Sequence, residues 1–234
     1  FSLPLFLQSV LGWSALGAGG LLAVLALGAF VAAPTAAQLA SRRNPRFVTR
    51  LGLALEVVGI AGIAAMVSPT VSGWVLGGWL FVYGMGVGYA SAQLTGLILA
   101  DVPVAKSGQA SGTQSTARQI GAAMGTAVLG TVVFVSLHAN VADRVSQIPG
   151  VTPDIAEQLA TAVEKSAGTI IPSLEQQGGA PVLVAAQQAF ADAVATTGAV
   201  AAAFVMLGLL ATMALPPGNA PAAVDESQLV RDFE

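Results

Sequence analysis

Long stretches with almost no charged side chain dominate this sequence and limit what it can fold into. A bilayer core is about 30 Å thick, so a helix needs roughly 20 consecutive apolar residues to cross it. Charged residues make up 9% of the chain and hydrophobic residues 55%, whereas a soluble domain carries about a quarter charged residues. The sequence therefore predicts an all-α, polytopic transmembrane helical bundle. The predicted spans lie at about 16–40, 51–68, 74–100, 112–138 and 193–215.

Three further segments complete the predicted organisation. The chain opens FSLPLFLQSVLGW, with neither an initiator Met nor a positively charged n-region. We interpret residues 1–12 as a partial helix whose beginning is missing, which makes about six membrane helices. Residues 139–192 are predicted to be an extracytoplasmic loop, and residues 216–234 a polar cytoplasmic tail.

The long loop is predicted to contain one short amphipathic helix. Thr152 suits an N-cap position, and Pro153 suits the first helical turn. Ile155, Leu159 and Val163 repeat at i, i+4 spacing and predict an apolar face. We expect this helix to pack on the outer rim of the bundle or to lie in the membrane interface.

The distribution of basic residues predicts the orientation. Cytoplasmic loops of membrane proteins carry an excess of Lys and Arg. Seven of the nine basic residues fall on one predicted side, in the segment 41–50, near Lys106 and Arg118, and in the tail. The predicted topology is therefore multi-pass with a cytoplasmic C-terminus. The predicted location is a bacterial-type plasma (inner) membrane.

Composition also excludes several classes of site. The chain has no cysteine and a single histidine, His138, and no basic run is longer than the pair Arg42–Arg43. These counts argue against thiolate metal sites, bis-histidine haem and nucleic-acid binding. The acids Asp154, Glu157 and Glu164 are spaced as on a solvated helix. We predict no catalytic residue, no metal and no cofactor, and hence no enzyme.

The segment AAQLASRRNPRF, residues 36–47, resembles the cytoplasmic signature loop of the major facilitator superfamily. That pattern is glycine-x-leucine-x-aspartate-arginine-x-glycine-x-arginine. Leu39, Arg42 and Arg46 match it at the leucine and at two basic positions. Three positions depart from the glycine, aspartate and glycine of the pattern, namely Ala37, Ser41 and Asn44. The resemblance makes Arg42 and Arg46 gating candidates.

The segment GQASGTQSTARQIGAAMGTAVLGT, residues 108–131, is similar to the penultimate helix of the EmrB/QacA-type drug:proton antiporters, the fourteen-helix branch of that superfamily. The opening LPLFLQSVLGWSALGAGG also looks like that branch. The resemblance implies the C-terminal six-helix half of a major facilitator fold. It further implies a transporter that exports small lipophilic compounds in exchange for protons. The implied partners are membrane lipid, substrate, protons and a missing N-terminal half.

Residues at one end of the 108–131 segment are further gating or coupling candidates. Gln114, Arg118, Gly121 and Gly125 share one helical face at spacings of 4, 3 and 4. An arginine inside a span is costly and needs a partner or a route to the interface, and Asp101 is the nearest acid. Two interpretations stay open: a pair that sets topology and braces the loop, or a direct role in gating or substrate contact.

Glu56 is the only acid well inside a predicted span. Acids inside membranes are functional candidates by default. Glu56 lies six residues after Arg50, which is roughly 9 Å along a helix, so a structural role close to the arginine-rich loop is the alternative to proton coupling.

A polar and polarizable stripe marks the span at 74–100. Met85, Tyr89 and Gln93 recur every four residues, so they either line a substrate cavity or pack against a neighbouring helix. Gly84 and Gly88 favour packing, because small residues four apart allow close helix contact. Gln8 is a further lining candidate. His138 is expected at the membrane interface, with a proton-relay role as the alternative.

Three alternatives to a drug exporter follow from the same residues. The fold would equally serve export of a lipid, siderophore or other metabolite. A non-transporting membrane scaffold is a less favoured alternative, against which the signature-loop remnant argues. An integral membrane enzyme is disfavoured, because such chemistry needs clustered acids, histidines or metal ligands.

Overall fold

The structure is a computed structural model that describes residues 2–99 and 102–214. Within these ranges every regular element is helical, which confirms the predicted all-α membrane bundle. The proposed tail and Asp101 lie outside the described residues. The α-helices are α1 (Ser2–Ser9), α2 (Ala15–Arg42), α3 (Pro45–Met66), α4 (Gly73–Leu99), α5 (Ser107–Ser146), α6 (Pro153–Lys165) and α7 (Leu174–Ala214).

Five helices are long and apolar enough to cross a membrane. They are α2, α3, α5 and most of α4 and α7, and α1 adds a short segment of 8 residues. α2 and α3 meet at a connection of two residues, Arg43 and Asn44. Asn44 caps α3 by accepting a hydrogen bond from the Arg46 backbone N–H at 2.9 Å, and Pro45 occupies the first turn. α3 therefore begins six residues before the predicted position, because this cap allows the arginine-rich segment to be helical.

α4 packs between α2 and α3 through glycines. A Cβ on Gly84 would overlap the Leu25 carbonyl oxygen of α2, and one on Gly88 would lie 2.7 Å from the Ala29 carbonyl oxygen. The predicted contact through Gly84 and Gly88 is therefore present. Gly86 faces α3 instead, where a Cβ would lie 2.6 Å from the Glu56 backbone nitrogen.

α3 and α4 run antiparallel in a regular register. Gly59 lies against Tyr83, just as Glu56 lies against Gly86. The two pairs are one turn apart. α7 packs against the other side of α3 and also against α5, so that α3 joins the two parts of the bundle.

The segment 139–192 is largely helical, which differs from the predicted loop. α5 continues to Ser146 and α7 already begins at Leu174, so neither boundary at 138 nor at 193 is a helix end. We call α5 from residue 131, α6 and α7 to residue 195 the helical cap. The cap contains a connected apolar core, to which Leu137, Val141 and Val145 of α5 contribute fully buried side chains. One apolar residue per turn suffices for this packing, although the mean hydropathy of the segment is low.

α6 packs through a different face from the one predicted. Its buried residues are Ala156, Ala160 and Val163, whereas Ile155 is 46% exposed and Leu159 is only partly buried. Small alanines bring the α6 backbone close to α5, and this contact decides the orientation. Of the predicted face only Val163 is fully buried.

We expect Gly84→Val to destabilise the bundle, because the new side chain would overlap the α2 backbone. Overpacking of a close contact costs about 1–3 kcal/mol, which lowers the melting temperature of the detergent-purified protein by several degrees. The matched control is Gly96→Val on the same helix, where a Cβ would meet nothing within 4 Å. Equal melting temperatures for the two variants would show that the close contact at Gly84 is unimportant.

Candidate functional site

A cavity of about 570 Å³ lies among α1, α2, α3, α4, α5 and α7. Most of its walls are aliphatic, and several are glycine or alanine. These small side chains leave space between the helices. The lining residues are Ser2, Leu3, Pro4, Leu22, Leu25, Ile60, Ile63, Leu80, Tyr83, Ala122, Gly125, Thr126, Leu129, Gly130, Val133, Val194, Thr197, Gly198 and Ala201.

Few polar groups face this central cavity. The Thr126 hydroxyl donates to the Ala122 carbonyl at 2.8 Å, and the Thr197 hydroxyl donates to the Ala193 carbonyl at 2.7 Å. Both hydroxyls are therefore satisfied by their own helices. Tyr83 provides the one aromatic ring among the lining residues, and its backbone packs against Gly59. A largely apolar cavity with an aromatic wall suits an apolar or weakly polar molecule.

Glu56 lies in the α3–α4 interface, next to the cavity. Its Cγ is 2.8 Å from the position that a Cβ on Gly86 would take, so the side chain packs into space that this glycine leaves. Ile60, one turn further along α3, lines the cavity. The side chain of Glu56, the candidate acid, therefore packs against α4.

The predicted lining residues do not line this central cavity. The Tyr89 hydroxyl is hydrogen-bonded to the Thr35 hydroxyl of α2 at 3.0 Å, and the Gln8 amide donates to the Pro4 carbonyl at 3.1 Å. Met85 and Gln93 are half-buried on α4. The aromatic residue that lines the cavity is Tyr83, which the sequence did not single out.

A second pocket, of about 800 Å³, lies between the ends of α4 and α5. Two of the predicted gating residues, Gln114 and Arg118, line it together with Lys106. The Gln114 side-chain amide donates to the Thr95 hydroxyl at 3.1 Å and so connects α5 to α4. Asp101, the expected partner of Arg118, is outside the described residues.

Arg50 of the arginine-rich segment makes a long-range contact that the sequence did not suggest. Arg50 donates through Nη2 to the Thr212 carbonyl at 2.7 Å. Thr212 lies in the last turn of α7, where carbonyls lack helical partners and cations are favoured. In the signature-like segment, Arg43 stacks on the Phe47 ring at 5.6 Å, and the gating candidate Arg42 is exposed.

The helices and the apolar cavity define a multi-pass membrane protein with an internal binding space. Comparison with known proteins identifies its class. The family model of the Major Facilitator Superfamily matches residues 1–126. This match covers more than half of the chain, and the chain belongs to that superfamily.

The curated relatives that the chain matches have names that refer to transport. The multidrug efflux pump LfrA of Mycolicibacterium smegmatis is 31% identical over 88% of this chain and 40% of its own length. The tetracenomycin C resistance and export protein of Streptomyces glaucescens is 27% identical over 71% of this chain and 31% of its own length. The riboflavin transporter RibZ of Clostridioides difficile is 27% identical over 60% of this chain and 30% of its own length.

The family match confirms the predicted superfamily, and the relatives are named as transporters or efflux proteins, not as enzymes. The chain spans less than half the length of these relatives.

Proposed function

We propose that this chain forms the C-terminal part of a secondary transporter that exports small lipophilic compounds in exchange for protons. The observation that carries the proposal is the mainly aliphatic cavity that six helices line. One relative named a multidrug efflux pump and one named a tetracenomycin C resistance and export protein support the direction and the cargo class. The mechanism would be alternating access, in which two helical halves rock about the cavity.

The exposed face of α5 supports a missing N-terminal half as the partner. None of the residues from 107 to 130 is buried, and 19 of these 24 are exposed, including Ile120 at 55% and Met124 at 64%. Gly121 lies on this helix with no atom within 4 Å of the position that a Cβ would take. In lipid, such small-residue surfaces suit close contact with another helix. We therefore assign this face to the other half of the transporter.

Export of a metabolite is the second candidate. The riboflavin transporter among the relatives favours it, and Tyr83 offers a ring and a hydroxyl that suit a flat heteroaromatic molecule. Efflux measured over a panel of lipophilic cations, neutral drugs and flavins separates the two candidates. Transport confined to one metabolite would exclude the multidrug proposal.

We expect efflux by the complete gene product in proteoliposomes to stop when an uncoupler collapses the proton gradient. Glu56 is the proposed coupling acid of this half, because it lies in an interhelical interface beside the cavity. In Glu56→Gln, we expect downhill substrate exchange to persist while accumulation against a gradient is lost. Efflux that continues unchanged in the presence of the uncoupler would contradict proton antiport.

We expect Ala201→Phe to reduce efflux about tenfold or more, since Ala201 lines the cavity and a misplaced side chain in a binding site is felt strongly. The matched control is Ala203→Phe, two residues along α7, where the side chain is exposed. Initial rates at several substrate concentrations give both the KM and the maximal rate. If the two variants behave alike, the cavity is not the transport site.

We also propose that the arginine-rich connection faces the cytoplasm of a bacterial-type plasma membrane, with the cap outside and the C-terminus inside. The chain contains no cysteine, so an introduced cysteine is the only residue of this chain that a maleimide labels through a thiol. A membrane-impermeant maleimide should label Gln158→Cys, exposed on α6, in intact cells. It should label Ser41→Cys, exposed near the end of α2, only after lysis. The opposite pattern would invert the topology.

A further inference from the structure

His138 of α5 contacts two carboxylates of the cap through its two ring nitrogens. Nδ1 lies 2.9 Å from Glu164 Oε2, and Nε2 lies 3.0 Å from Glu157 Oε1. The sequence predicts an interface or proton-relay histidine and acids on a solvated helix. The structure instead brings these three side chains into one cluster.

This geometry requires a bound proton. A neutral imidazole has one N–H donor and one acceptor nitrogen, and an ionised carboxylate only accepts. Two simultaneous hydrogen bonds therefore need one proton more than a neutral imidazole and two carboxylates hold. We propose that His138, Glu157 and Glu164 form a proton-binding site that holds α6 against α5.

The site lies where it acts on helix packing. Glu157 and Glu164 are seven residues apart, which is two turns of α6, so His138 bridges one face of that helix. The His138 side chain is 27% exposed, and Leu137 beside it is fully buried in the cap core. The cluster is thus reachable by water from one side and adjoins the α5–α6 core on the other.

No other charged group competes for His138 in the described structure. Asp192 of α7 pairs with Arg144 of α5, whose Nε donates to Oδ2 at 3.0 Å. Asp154 and Lys165 of α6, Asp143 of α5 and Glu175 of α7 are all exposed. α1 and α4 contain no charged residue.

The direction of the pH dependence follows from the contacts. An imidazolium donates to both carboxylates, whereas a neutral ring keeps only one of the two bonds. The imidazolium form therefore holds α6 with one hydrogen bond more than the neutral ring does, so docking weakens when that proton is lost at higher pH. Strong acid also weakens docking, because the carboxylates then lose their charge. Because the Glu157 and Glu164 side chains are 63% and 38% exposed, the loss of one of these bonds changes the docking equilibrium by about fivefold at most.

The site also connects to the central cavity. Val133 of α5 and Val194 of α7 belong to the cap core and line the cavity as well. Binding of the proton therefore stabilises the helices that form the cap end of the cavity wall. This inference does not depend on the direction of transport or on which face of the membrane carries the cap.

Distances between nitroxide labels in the purified complete gene product test the proposal. Labels on Val135→Cys of α5 and Gln158→Cys of α6 replace exposed side chains, and detergent exposes both faces to the same pH. By pulsed electron paramagnetic resonance, we expect a narrow distribution of label-to-label distances at about pH 5.5. At about pH 8 we expect a broader distribution with a longer mean distance. Identical distributions at the two pH values would overturn the proposal.

Variants identify the groups responsible. His138→Gln should give the broad distribution at both pH values, and His138→Arg, with a permanent cation, the narrow one at both. Asp192→Asn is the control, since it removes a carboxylate of the cap outside the cluster, and it should keep the wild-type response. A response that persists in His138→Gln would refute the assignment. If that variant does not fold, the double variant Glu157→Gln/Glu164→Gln should abolish the response, and a retained response would refute it equally.

Discussion

The close approach of α4 to its two neighbours is the contact on which the bundle depends. Lipid supplies little hydrophobic drive between helices, so association relies on packing at short distance. Gly84 and Gly88 let α2 approach, and Gly86 lets α3 approach. Leu25, which contacts Gly84, also lines the central cavity. The helix spacing that stabilises the bundle therefore also sets the width of the proposed binding space.

The spans were predictable from the sequence because a bilayer demands long uncharged helices, whereas the helix ends were not. Hydropathy averages fall where α5 leaves the apolar stretch. The helix nevertheless continues, since Val141 and Val145 are buried against the cap. Gly179, with a φ of 76°, likewise interrupts the helical conformation inside α7. Average hydropathy does not show this interruption. Local cues such as Asn44 and Pro45 locate ends better than averages do.

The candidate site was predictable only in part. Periodicity on α4 singles out Tyr89, but both sides of this helix carry glycines, so only the neighbouring helices decide that Tyr83 faces the cavity. His138 and Glu164 are 26 residues apart in the chain and meet only because α6 folds back on α5. No sequence pattern of short range encodes that meeting. Glu56, by contrast, was found because an acid inside an apolar span is conspicuous in any arrangement.

The length of α5 has a mechanical consequence. Its 40 residues form one unbroken helix of about 60 Å, twice the thickness of the bilayer core. A tilt of this helix by about 10° around its midpoint would move each end by roughly 5 Å. The end beside Lys106 and the end inside the cap would then move in opposite directions within a single displacement.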